Sequence, residues 1–220
     1  MQTVSPYRRE AVPKGRALLH AALRQILGPH VRQAGSLVAP DRLRFDFSHV
    51  ASLTENEMEQ VEWLVNEKIR QNASVHQDED SYVSAIERGA LAFFGDKYDE
   101  RVRLIEISNG ATFSFEVCGG THVAHTGELG SVFILGESSI GSGMRRIEAV
   151  SGRGAERVVR SHIDTTTAVS AMLQTPVPEI EVRIQGLLEE IDDLFQRLNT
   201  NVYETNRQEL RNLIRGDMQK

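Results

Sequence analysis

Cysteine occurs once in this sequence, at position 118. A single thiol excludes an internal disulfide framework and fits a reducing compartment. Long apolar runs are missing as well: none approaches the roughly 18 residues of a membrane span. Met1–Gly15 carries Arg8, Arg9 and Lys14 but no apolar core of the kind a signal peptide has. These absences predict a cytoplasmic protein that does not enter a membrane. Excess positive charge is also lacking. The formal net charge is −6, so binding to nucleic acid has to rely on local basic patches, with acidic charge placed elsewhere. Strand signals vanish after Ser151. The length, 220 residues, suits one good-sized domain with an appendage, or two small domains.

Elements can be read from Ala17 onward, after a start with Pro6, Pro13 and Gly15 but no periodicity. Ala17–Leu27 puts Leu18, Leu19, Ala22, Leu23 and Ile26 on one helical face, and Gly28-Pro29 ends it. Val31–Ala39 reads as a strand kinked at Gly35. Leu43, Phe45 and Phe47 alternate with Arg44 and Asp46, as in a strand with one wet face. Thr54-Glu-Asn-Glu57 is a capping box opening a helix to about Gln71, with Met58, Val61, Trp63, Leu64 and Ile69 as its apolar surface. A short strand over Asn72–His76 and a second helix over Asp78–Phe94, stopped by Gly95, are expected next. Val102–Ile107 and Thr112–Val117 form a hairpin around Asn109-Gly110. Ser131–Leu135 and Met144–Val150 are further strands, joined by the glycine-rich Gly136–Gly143. Strands and helices mix without strict alternation, which points to an α+β fold with a mixed or antiparallel sheet.

After Ser151 the chain reads as helical: Ala155–Leu173, a break at Pro176 and Pro178, then Ile180, Ile184, Leu187, Ile191, Leu194 and Leu198 at heptad spacing. Asn199–Asn201 interrupts that seam. A lone helix must bury such a stripe, which predicts a homodimer through this region in preference to an internal hairpin.

The rest of the chain is organised around Phe113-Ser-Phe-Glu-Val-Cys118-Gly-Gly-Thr-His122. Alternation predicts a half-buried strand, and Gly119-Gly120 permits a turn that brings Cys118 and His122 together. Thiol plus imidazole is half of a zinc site. Taken alone, a buried cysteine near an unrelated histidine fits the spacing too. The flanks add more. Cys118-Gly-Gly-Thr-His122-Val-Ala-His-Thr-Gly127-Glu-Leu-Gly130 resembles the zinc-bearing segment of the alanyl-tRNA synthetase editing domain. So do Gly141-Ser-Gly-Met-Arg-Arg-Ile-Glu-Ala-Val150, Leu18-Leu-His-Ala-Ala-Leu23, Gln33-Ala-Gly-Ser-Leu-Val38 and Gly89-Ala-Leu-Ala-Phe-Phe-Gly-Asp-Lys-Tyr98, in family order.

The resemblance implies an editing domain over residues 17–152, which hydrolyses serine or glycine from mischarged alanine tRNA, followed by a helical region over 153–220. Residues 1–16 diverge. The family holds zinc with an H-x-x-x-H on the first helix plus Cys118 and His122. Its two histidines fall here on Pro13 and Ala17, and the threonine between them is gone. A divergent start, a truncation or a frame error would each produce this. Zinc is therefore expected to be held weakly or at partial occupancy, with impaired hydrolysis. His20, one turn past Ala17, is a further candidate ligand, although the family has a histidine there outside the metal set. The resemblance implies Gln33 as a pocket-lining catalytic residue, and Thr121, lying between Cys118 and His122, is a second catalytic candidate placed to orient the substrate. Arg145, Arg146 and Arg153 are candidate tRNA-binding residues, the first two beside the glycine loop Gly141–Gly143. Nothing resembles an ATP-dependent core for charging tRNA. The competing expectation is a non-catalytic tRNA-binding or dimerisation module on the same scaffold.

Overall fold

A computed structural model describes residues 15–39, 42–93, 98–120 and 122–217. The chain divides into two compact units, with the boundary between Val159 and Arg160. The first is α+β. Its α1 (Arg16–Leu27) buries Ala17, Leu18, Leu19, His20, Ala22 and Leu23, the face expected from their spacing. Gly28, at φ 117°, stops the helix. The Arg24 guanidinium then donates to the carbonyls of Pro29 and Val31, both at 2.7 Å, and turns the chain into β1 (Gln33–Val38). A bulge between Gln33 and Gly35 accounts for the kink at Gly35.

β1 pairs antiparallel with β2 (Leu43–Ser48), β2 with β7 (Met144–Ser151), and β7 with β6 (Val132–Gly141), a four-stranded sheet. The phenylalanines of β2 are buried, but its expected wet face is not open, because Asp46 is buried too. α2 (Glu55–Arg70) begins with the full capping box of Thr54 and Glu57 and buries Val61, Leu64, Val65 and Ile69. Trp63 departs from its expected place and stands 63% exposed. Asn66 of α2 donates to Val132 O at 2.7 Å and accepts from Val132 N–H at 2.9 Å. Glu62 accepts from Ile134 N–H at 2.7 Å. The helix thereby covers the start of edge strand β6, which would otherwise present unpaired backbone.

The second sheet is β3 (Ser74–Ser81), β4 (Arg101–Asn109) and β5 (Ala111–Val117), all antiparallel. The turn Asn109-Gly110 joins β4 to β5, and Gly110 takes φ 77°, which a side chain resists. The helix expected over Asp78–Phe94 is mostly strand and loop. β3 runs on to Ser81 along β4, and only α3 (Tyr82–Glu87) is helical, capped by Ser81. Eight backbone pairings with β4 outweigh the weak helical pattern of that acidic stretch. Residues 94–97, where Gly95 was to end the helix, lie outside the described residues. The connection expected over Gly136–Gly143 is instead strand: β6 continues to Gly141 with two bulges.

The main core joins α1 and α2 to both sheets, with Phe45, Phe47, Val61, Val65, Ile105, Ile107, Ile147 and Cys118. A smaller cluster on the other face of the second sheet gathers Ala85, Ala90, Val102, Leu104 and Val117. α4 (Arg153–Leu173) leads from the first unit into the second. α5 (Ile180–Asp217) then runs unbroken past Asn199–Asn201, where an interruption was expected. No helix among the described residues is long and apolar enough to cross a membrane.

Candidate functional site

Period-two alternation along β5 turns Ser114 and Glu116 to the buried face, and the chain leaves the strand at Cys118. Cys118 N–H donates to Arg103 O at 3.0 Å, so the sulfur is fixed at the end of a paired strand. The loop that follows is tied down at many points. Val75 N–H donates to Ala124 O, and Thr126 N–H to Ala73 O, each at 2.9 Å. The buried Thr126 hydroxyl donates to Lys68 O at 2.7 Å, and Gly127 N–H donates to Asn72 Oδ1 at 3.1 Å. A Cβ on Gly127 would stand 2.5 Å from that oxygen, so a larger residue there would displace the Asn72 side chain and its hydrogen bond. The Glu128 carboxylate accepts from the N–H groups of Ala124 and His125.

This scaffold brings Cys118 Sγ and His122 Nε2 to 3.0 Å, as the motif predicted. Cys118 is buried. The helix opposite contributes a residue that the sequence did not single out. Arg16, first residue of α1, donates from Nη2 to Cys118 Sγ at 2.6 Å. Arg103 donates from Nη2 to Gly120 O, so a second guanidinium borders the loop.

His20 is placed differently. It is 0% exposed, its Nδ1 lies 2.7 Å from Glu116 Oε1, and its ring packs against Phe45 and Phe93. Among the described residues no three histidine, cysteine or carboxylate side chains converge as a metal site. The structure thus unites Cys118 with His122 and leaves His20 with Glu116. The two donors found among the described residues, with a cation on the sulfur, fall short of the three or four ligands a zinc ion takes. Pro13 and Thr121 lie outside the described residues, and Ala17 is buried with no group that binds metal.

Gln33 is 5% exposed and its amide donates to Ser36 Oγ at 3.0 Å. Arg145 is bonded through Nε and Nη2 to both oxygens of Glu137. Arg146 holds Asp46 in the same two-point fashion, at 2.7 and 2.9 Å. The Arg146 hydrogen bond, followed by its charge and that of Arg44, holds the Asp46 carboxyl below its usual range, while burial works the other way. The same pairings raise both guanidinium groups above their ordinary value. Arg153 is exposed at the start of α4.

Comparison with known proteins agrees with the motif. Residues 102–148, from β4 into β7, match the family described as the threonyl and alanyl tRNA synthetase second additional domain. The chain is 44% identical over 197 residues to an alanine–tRNA ligase of Dehalococcoides mccartyi, covering 90% of this chain and 22% of that protein. The chain is a relative of the editing region of alanyl-tRNA synthetases. An alanine–tRNA ligase of Pelotomaculum thermopropionicum is 44% identical over 194 residues, 87% of this chain and 22% of its own length. One of Thermoanaerobacter pseudethanolicus is 46% identical over 170 residues, 77% of this chain and 19% of its own. This editing-region relative therefore spans about a fifth of the length of the curated proteins it matches.

Proposed function

We propose that this chain is a fragment or paralogue of alanyl-tRNA synthetase that recognises mischarged alanine tRNA and hydrolyses its seryl or glycyl ester weakly or not at all. The observation that carries the reading is the Cys118–His122 pair at 3.0 Å, set as a half-site with no third donor among the described residues. Metal affinity grows with ligand number and preorganisation, so such a half-site holds zinc at partial occupancy at most. Gln33 and Thr121 orient the aminoacyl group. Arg153 meets phosphate, and Arg145 and Arg146 do so by exchanging Glu137 and Asp46 for phosphate oxygens. The chain acts in the cytoplasm. Hydrolysis of seryl-tRNA made on alanine tRNA, with binding of the same tRNA measured in parallel, tests this. Tight binding with slow hydrolysis agrees with the reading, and no binding to any alanine tRNA refutes it.

One observation favours an added role in self-association. α5 leaves Ile184, Leu188, Ile191, Leu194, Phe195 and Leu198 each between 42% and 62% exposed along its length. A second copy of α5 covers that stripe in a homodimer.

A further inference from the structure

We propose that Arg16 takes the place of the metal: its guanidinium is the resident cation of the Cys118–His122 site and keeps divalent ions out. The inference rests on the editing-site reading above and concerns what occupies that site. A zinc ion needs the sulfur lone pairs that face the centre of its ligand set. Here Arg16 Nη2 donates to Cys118 Sγ at 2.6 Å and so takes up a sulfur lone pair, while His122 Nε2 lies 3.0 Å from the same sulfur. The two metal-type donors are thus engaged with each other, and the sulfur is engaged with a positive charge as well.

Arg16 reaches the site because of its position. It is the first residue of α1, with Ala17, Leu18 and Leu19 buried directly behind it. The helix cannot withdraw Arg16 without exposing that face. The Arg16 Nε is buried and without a hydrogen-bond partner among the described residues. An unmet donor of this kind is costly to keep. It marks where an oxygen of a bound ligand, such as the carbonyl of an aminoacyl ester, would be received. A dication brought beside the guanidinium is repelled at short range, where the surrounding protein screens poorly.

Competition between the protein and a chromophoric zinc chelator tests this directly. Wild type is expected to take no zinc from a chelator of micromolar affinity. Arg16→Met keeps the aliphatic stem and removes the charge, and is expected to bind zinc at least tenfold more tightly. Arg16→Lys retains a cation and should exclude zinc as wild type does. Adding Cys118→Ser to Arg16→Met should abolish the gain. Circular dichroism and melting curves establish that each variant is folded, and Arg16→Gln, which also removes the charge, takes the place of Arg16→Met if the latter does not fold. Tight zinc binding by wild type overturns the proposal, as do equal zinc affinities for the Lys and Met variants. Binding of alanine tRNA is measured on the same samples. Its loss in wild type would refute the editing-site reading, whereas an unchanged zinc affinity in Arg16→Met refutes only the role of Arg16.

Discussion

His20 and Glu116 meet 2.7 Å apart, 96 residues distant in sequence, where one side chain is 0% and the other 2% exposed. The pair pins α1 to β5 two residues before Cys118, so it fixes the height at which Arg16 and the sulfur face each other. Removing either partner strands the other in the core. Glu116→Ala is expected to lower stability by about 2–4 kcal/mol in denaturant unfolding. A loss below about 0.5 kcal/mol would show that the contact is incidental.

The Asn66 amide and Val132 make the second prediction. Both edges of the amide are satisfied by the backbone of an edge strand. Asn66→Ala leaves a strand donor and acceptor without these partners and should cost about 1–3 kcal/mol. Hydrogen exchange should accelerate at the amides of Val132 and Ile134 first, because Glu62 holds the latter on the same helix.

Acid should weaken the four-stranded sheet through Asp46. Arg146 depresses its folded-state pKa below the ordinary aspartate value of 3.8. A depressed carboxyl contributes stability above the unfolded value and loses it as pH falls through the lower folded one. Wild type should therefore lose melting temperature below about pH 4, and Asp46→Asn should show a flatter profile there. Parallel profiles would mean that the Arg146 pair contributes nothing.

Self-association is tested by light scattering across protein concentration. Wild type should grow in mass with concentration, and Leu187→Lys with Leu194→Lys should be monomeric. Gly186 within the seam lowers helix stability by up to about 1 kcal/mol, so the dimer should be modest in affinity. A monomeric wild type at high concentration would leave the stripe without the partner proposed for it.

Local chemistry was legible in the sequence, and pairing over distance was less so. The capping box of Thr54 and Glu57, the Asn109-Gly110 turn and the buried face of α1 depend on residues a few positions apart, and each stands where it was read. The Cys118–His122 contact was legible for the same reason, since Gly119-Gly120 lies between them. β3 was misread because its extension to Ser81 is decided by β4, twenty or more residues on. The Gly136–Gly143 stretch was misread because pairing with β7 and two bulges override its glycine content. Glu116 could have been found, as alternation places it on the face of the strand that meets the core. Arg16 gave no such signal: its contact with Cys118 spans 102 residues and exists only once α1 is docked.

The most direct test of the central claim is single-turnover hydrolysis of seryl-tRNA made on alanine tRNA, with zinc present and with zinc removed by chelation. The protein should bind the tRNA yet raise the rate at most a few-fold over spontaneous hydrolysis, with little response to zinc. Pro13→His with Ala17→His, combined with Arg16→Met to clear the cation from the sulfur, should raise the rate and make it depend on zinc and on Cys118. Rapid hydrolysis by the wild-type chain that Cys118→Ala leaves unchanged would contradict the account.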